Sequence, residues 1–132
     1  MTGRWSLIAG VAAVALFPAG AQARKSNDEQ MLSLDPTTRI EQRCDARGMG
    51  IVQREHPPMR PDELVAYAYA APRIKGSTIT APGAAVRSGG VWYHLSYSCT
   101  TTSDGLGVIS FSYRLGAAIP RSEWAAHYLV AP

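Results

Sequence analysis

The stretch Val91-Trp92-Tyr93-His94-Leu95-Ser96-Tyr97-Ser98-Cys99 alternates without a break. Its odd positions are Val91, Tyr93, Leu95, Tyr97 and Cys99; its even positions are Trp92, His94, Ser96 and Ser98. Period-two alternation marks a half-buried strand. Val108 to Leu115 repeats the pattern, with Ile109, Phe111, Tyr113 and Leu115 on one face and Val108, Ser110, Ser112 and Arg114 on the other. Asp104-Gly105 supplies turn chemistry between the two. Upstream, Ala84 to Arg87 reaches Val91 through Ser88-Gly89-Gly90, a hairpin signal. These segments predict an antiparallel β-meander of three or more strands, with Gly116 ending the last one.

A helix precedes the sheet. Asp35-Pro36 reads as an N-cap followed by proline at the first helical position. Ile40, Cys44, Gly48 and Ile51 then fall on one helical face. Gly48 and Gly50 each weaken a helix by about 1 kcal/mol relative to alanine, which predicts fraying or a kink, although a small residue facing a sheet also permits close packing. The helix ends before His56-Pro57-Pro58. Leu64 to Ala71 is open between short helix and strand; Asp62-Glu63 before it reads as a helix-start pair, and Thr78-Ile79-Thr80 as a short strand. Pro120 starts a short terminal helix over Arg121 to Tyr128, with Trp124 and Leu129 sealing one end of the core.

The N-terminus reads as an export leader. Arg4 is the sole charge in residues 1–23, Leu7 to Phe17 is an apolar run, Pro18 and Gly20 break it, and Ala21-Gln22-Ala23 has the small-x-small pattern of a cleavage site. The expectation is a signal peptide over 1–23, a loose polar lead-in over 24–33 and a single α+β domain over 34–132, periplasmic or secreted, with no membrane span in the mature chain. Export places Cys44 and Cys99 in an oxidising compartment, where an even pair forms a disulfide. Both lie on the apolar faces of their elements, so a bond between them lays the helix across the core face of the sheet. The loop closed is more than fifty residues long, which corresponds to a stabilisation of about 4 kcal/mol. Neither cysteine has a second Cys or a His at metal-ligand spacing.

Several blocks together resemble one family. They are Leu34-Asp35-Pro36-x-Thr38-Arg39-Ile40-Glu41-Gln42-Arg43-Cys44-Asp45, Pro61-Asp62, Gly83-Ala84-Ala85-Val86-Arg87, Trp92-Tyr93-x-Leu95, Cys99, Phe111-x-Tyr113-x-x-Gly116 and Ile119-Pro120-Arg121-x-Glu123-Trp124. The chain resembles the domain of unknown function 930 family from about Leu34 to Leu129. The resemblance implies a small exported bacterial protein with two cysteines. It implies no activity and carries no functional residues over.

The chain has 132 residues, 17% of them charged, and a net charge of +3 that the loss of Arg4 lowers by one. So weak and dispersed a charge excludes a nucleic-acid partner of the usual kind. The histidines are His56, His94 and His127. No nucleophile elbow, His-x-x-x-His, Cys-x-x-Cys or phosphate-binding glycine loop occurs, so the sequence implies no catalytic residue, cofactor or metal. Arg39, Glu41, Arg43, Asp45 and Arg47 read as a solvated, ion-paired helix face or as a partner surface. Trp92, His94 and Arg114 share the sheet face away from the core, and tryptophan beside arginine is typical of binding hot spots. Two readings stay open: an exposed binding face, or a face covered by a loop or the terminal helix, with Trp92 in a second small core. The leading functional expectation is a non-enzymatic binding module whose partner is an envelope protein or a small ligand. The rivals are an enzyme with a non-motif site and a structural envelope protein that contacts the cell wall.

Overall fold

Asp35 starts the helix as its position predicts. Its side chain accepts from the Thr38 backbone N–H, and Pro36 follows in the first turn. The computed structural model describes residues 2–3, 9–15 and 27–132; Arg4 and the Ala21–Ala23 cleavage pattern lie outside them. Helix α1 runs unbroken over Pro36–Glu55. Gly48 does not kink it. A Cβ there would stand 2.8 Å from the Phe111 ring and 3.2 Å from Leu64, so glycine lets the helix settle onto the sheet. The buried stripe is Ile40, Cys44, Gly48 and Val52, which corrects Ile51 as the fourth position. Steps of four follow an oblique ridge of the helix surface, and that ridge is what meets the sheet.

The strands are β1 (Pro61–Val65), β2 (Arg73–Lys75), β3 (Thr78–Ser88), β4 (Val91–Thr101) and β5 (Val108–Ala118). All pairings are antiparallel, in the order β1-β3-β4-β5, with β2 also on β3. Strands β3, β4 and β5 form the expected meander. Gly89 and Gly90 both adopt positive φ, 57° and 74°, as a two-residue hairpin turn requires. Asp62 and Glu63 lie in β1 and do not start a helix. Val65 pairs with Ala85 and Leu64 with Val86, so the backbone is satisfied by the sheet, and turns follow from Ala66.

Two irregularities correct the expected faces. Thr101 pairs with Val108 while Thr100 pairs with Ser110. Ile109 is the extra residue of this bulge and is 67% exposed, while Val108 turns toward the core. A second shift, between Tyr93↔Ala118 and Leu95↔Leu115, carries β5 past Gly116 to Ala118. The terminal segment forms two 3-10 turns, Arg121–Glu123 and Ala125–His127, in place of a continuous helix. Residues 27–32 of the polar lead-in are helical, and the Met31, Leu32 and Leu34 carbonyls accept from the Arg39 guanidinium.

Helix α1 covers the inner face of the sheet. Ile40 and Cys44 pack with Leu64, Ile79, Val86, Leu95, Tyr97 and Cys99. Cys44 and Cys99 are disulfide-bonded with Cα atoms 6.1 Å apart, which joins helix to sheet through the middle of this core. The charged run on α1 is only partly a solvated face. Arg39 also donates to the Asp104 carbonyl, and Arg43 pairs with Asp28. Asp45 is half-buried and accepts a 2.7 Å bond from the Tyr97 hydroxyl. Burial pushes the Asp45 carboxyl up to about 7 against the lowering by Tyr97, and Glu41 and Glu63 add to the rise.

Candidate functional site

Cross-strand partners share a sheet face, so the outer face can be read from the register. One half of it is covered. Trp92 is fully buried and packs with Val65, Ala68, Ala85, Ile119, Trp124 and Leu129. The terminal segment is tied down over it at both ends: the Ile119 N–H donates 2.7 Å to the Trp92 carbonyl, and the Val130 carbonyl takes 2.9 Å from the Trp92 indole N–H and 3.1 Å from Arg87. Arg87 also forks onto both oxygens of Asp62 and lies over the Trp92 ring, 5.5 Å from its centre. Trp92 therefore belongs to a second core and presents no surface to a ligand. Its covering residues are far away in sequence, which is why alternation alone left the question open.

The other half is open. His94 and Arg114 lie there with Ser96, which stands opposite Arg114. Two adjoining cavities occupy this half, of about 350 and 330 Å³, and both are lined by Pro82, Ser96 and Arg114. The first adds Tyr69, Gly83 and His94; the second adds Thr80, Ser98 and Ser112. Together they form one groove, and each part reaches the lower end of the volumes that hold small ligands. Arg114 is exposed and makes no ion pair among the described residues.

Tyr69 forms the end wall, a residue that sequence reasoning did not select. The turn after β1 folds back so that the Tyr69 N–H donates 2.8 Å to the Gly83 carbonyl. A Cβ at Gly83 would run into the Ala70 backbone, so this crossing depends on glycine. His127 bonds the Ala68 carbonyl through Nδ1 at 2.9 Å, and its ring stacks on Tyr69 at 3.7 Å. His94 stands on the groove side of Tyr69, 4.7 Å between centres. Burial raises the Tyr69 phenol above its ordinary range, with Glu123 adding to it.

The other acid–base groups lie elsewhere. His56 Nε2 is 3.0 Å from the Tyr113 hydroxyl, which donates to Glu55 at 2.9 Å, near the end of α1. No group of three His, Cys, Asp or Glu is placed to hold a metal among the described residues. No helix among them is long and apolar enough to cross a membrane.

Comparison with known proteins gives a family match. The family model for the Domain of Unknown Function (DUF930) covers residues 31–129. No curated protein and no solved structure matches the chain.

Proposed function

The chain belongs to the DUF930 family, whose name assigns no activity, and from its own surface we propose that it is an exported binding module whose ligand sits in the outer-face groove. The observation that carries this reading is the division of the outer face. Trp92 and the terminal segment close one half, while His94, Ser96 and the unpaired Arg114 are left around a groove on the other. Export is supported by the charge, apolar run and small-x-small order of residues 1–23. The disulfide is compatible with it, since such bonds persist in oxidising compartments.

The test is to immobilise the oxidised protein and expose it to a cell-envelope extract, with Arg114→Ala and His94→Ala in parallel. A component retained by the parent and lost by both variants supports the groove. Equal retention by the variants, or none by the parent, overturns it. Intact mass of the protein recovered from the envelope tests export separately: a chain beginning after Ala23 is expected, and one still beginning at Met1 contradicts cleavage.

A further inference from the structure

The open half of the outer face carries hydroxyls in register. Thr78, Thr100 and Ser110 stand in one row across β3, β4 and β5, and Thr80, Ser98 and Ser112 in the next. Strand β2 extends both rows with a cation: Lys75 pairs with Thr78 and Arg73 with Thr80. The third row begins at Ser96 and ends at Arg114. Arg73, Lys75, Ser110, Ser112 and Arg114 are exposed. No Asp or Glu occupies a strand position in these rows, although the chain has ten acidic residues. The aromatic rings that line the two cavities, Tyr69, His94, Tyr97 and Tyr113, are half-buried or buried, and the exposed apolar residues of these strands include Pro82, shared by both cavities, and Ile109, next to Ser110.

Each feature narrows the ligand. Neighbouring strands are about 4.8 Å apart and alternate residues along a strand about 6.8 Å. Arg73 and Arg114 therefore stand at opposite margins, roughly 14 Å apart across the strands. Cations so far apart cannot converge on one phosphate or carboxylate, as a bidentate anion site needs; they suit a ligand with anionic groups at intervals. Between them the face offers hydroxyls, donors and acceptors at once, to match a ligand rich in hydroxyls. Single-stranded nucleic acid would require aromatic platforms for its bases, and a protein partner would require apolar anchors. Neither is present in these rows.

We propose that this face binds an acidic polysaccharide, whose uronate-type carboxylates meet Arg73, Lys75 and Arg114 while its sugar hydroxyls bond the serine and threonine rows. The Pro82 ring gives the C–H face of one sugar a surface to cover. This identification rests on the groove being the ligand site and names its ligand class.

The test is calorimetric titration of the oxidised protein with hexagalacturonate, with a neutral glucose hexamer, hexameric polyacrylate and oligo-dT as comparisons. Binding of hexagalacturonate in preference to all three is expected. Arg73→Ala with Lys75→Ala should weaken it about tenfold, equivalent to ~1.4 kcal/mol, and Ser98→Ala with Ser112→Ala several-fold, with melting temperatures unchanged. Equal binding of polyacrylate or oligo-dT would overturn the role of the hydroxyls. Indifference to Arg73→Ala with Lys75→Ala, or absence of binding, would overturn the proposal. An Arg114-dependent component from the envelope extract, with no response to hexagalacturonate, would leave the groove standing and reject the glycan.

Discussion

The two halves of the outer sheet face are built on the same strand and meet opposite fates. At Trp92 the even-numbered face of β4 carries a large apolar ring, and the chain brings Ile119, Trp124 and Leu129 across to bury it. Three rows along, the same face carries Ser98 and Thr100, half-exposed and uncovered. Burial of an indole removes a large apolar area from water, whereas a hydroxyl gains little from a cover unless it is hydrogen-bonded. Side-chain type therefore decides which half becomes core and which half is available to a ligand. If so, substitutions in the covered half should act on stability and those in the open half on binding.

The largest effect is expected at Trp92→Ala, which empties the second core and leaves the Val130 carbonyl with Arg87 alone. A loss of about 3–5 kcal/mol is expected, read by chemical denaturation. A loss below about 1 kcal/mol would mean that the terminal segment seals nothing. The inner face provides the reference. Replacing Cys44 and Cys99 together by alanine should cost about 2–4 kcal/mol, by the same measurement, without altering the outer face.

Asp45 gives a third, pH-dependent difference. Its carboxyl is held near 7 when folded against an ordinary value of 3.8. The folded state thus retains a proton that the unfolded chain releases. Stability is full below about pH 4, declines as pH rises, and reaches its lower plateau above pH 7. Asp45→Asn, which keeps an acceptor for Tyr97, should raise the melting temperature by several degrees at pH 8 and hardly at all at pH 4. Equal shifts at both pH values would contradict a buried, proton-retaining carboxyl. The smallest stability effect is expected in the open half: Ser98→Ala with Ser112→Ala should stay within about 0.5 kcal/mol of the parent. A larger loss would make the hydroxyl rows structural.

Much of the frame was legible in the residues. The alternation of Val91 to Cys99, the Gly89-Gly90 turn and the Asp35-Pro36 helix start are local signals, and each is realised in the fold. The disulfide followed from an even pair of cysteines in a chain read as exported, and two periodicities then laid the helix on the core face of the sheet. Other features depend on distant partners. Short β1 exists because β3 accepts it, against the helical reading of Asp62-Glu63. The bulge at Thr100-Thr101 turns Ile109 outward without any mark in the apolar pattern. At the candidate site, the alternation of β4 and β5 already puts His94 and Arg114 on one face. The burial of Trp92 was not legible, because its cover is more than twenty-five residues away in sequence. Tyr69 was missed because it reaches the groove only by the crossing at Gly83. The hydroxyl rows are visible as alternate Ser and Thr residues, but their alignment across β3, β4 and β5 requires the register.

The most direct test of the division is an amide chemical-shift titration of the isotopically labelled, oxidised protein with hexagalacturonate. Shifts are expected at Arg73, Thr80, Ser96, Ser98, Ser112 and Arg114, while the Trp92 indole N–H, fixed to Val130, stays unmoved. Shifts centred on α1 or on the terminal segment would contradict the assignment of the open half as the ligand face, and none at all would reject the acidic glycan as its ligand.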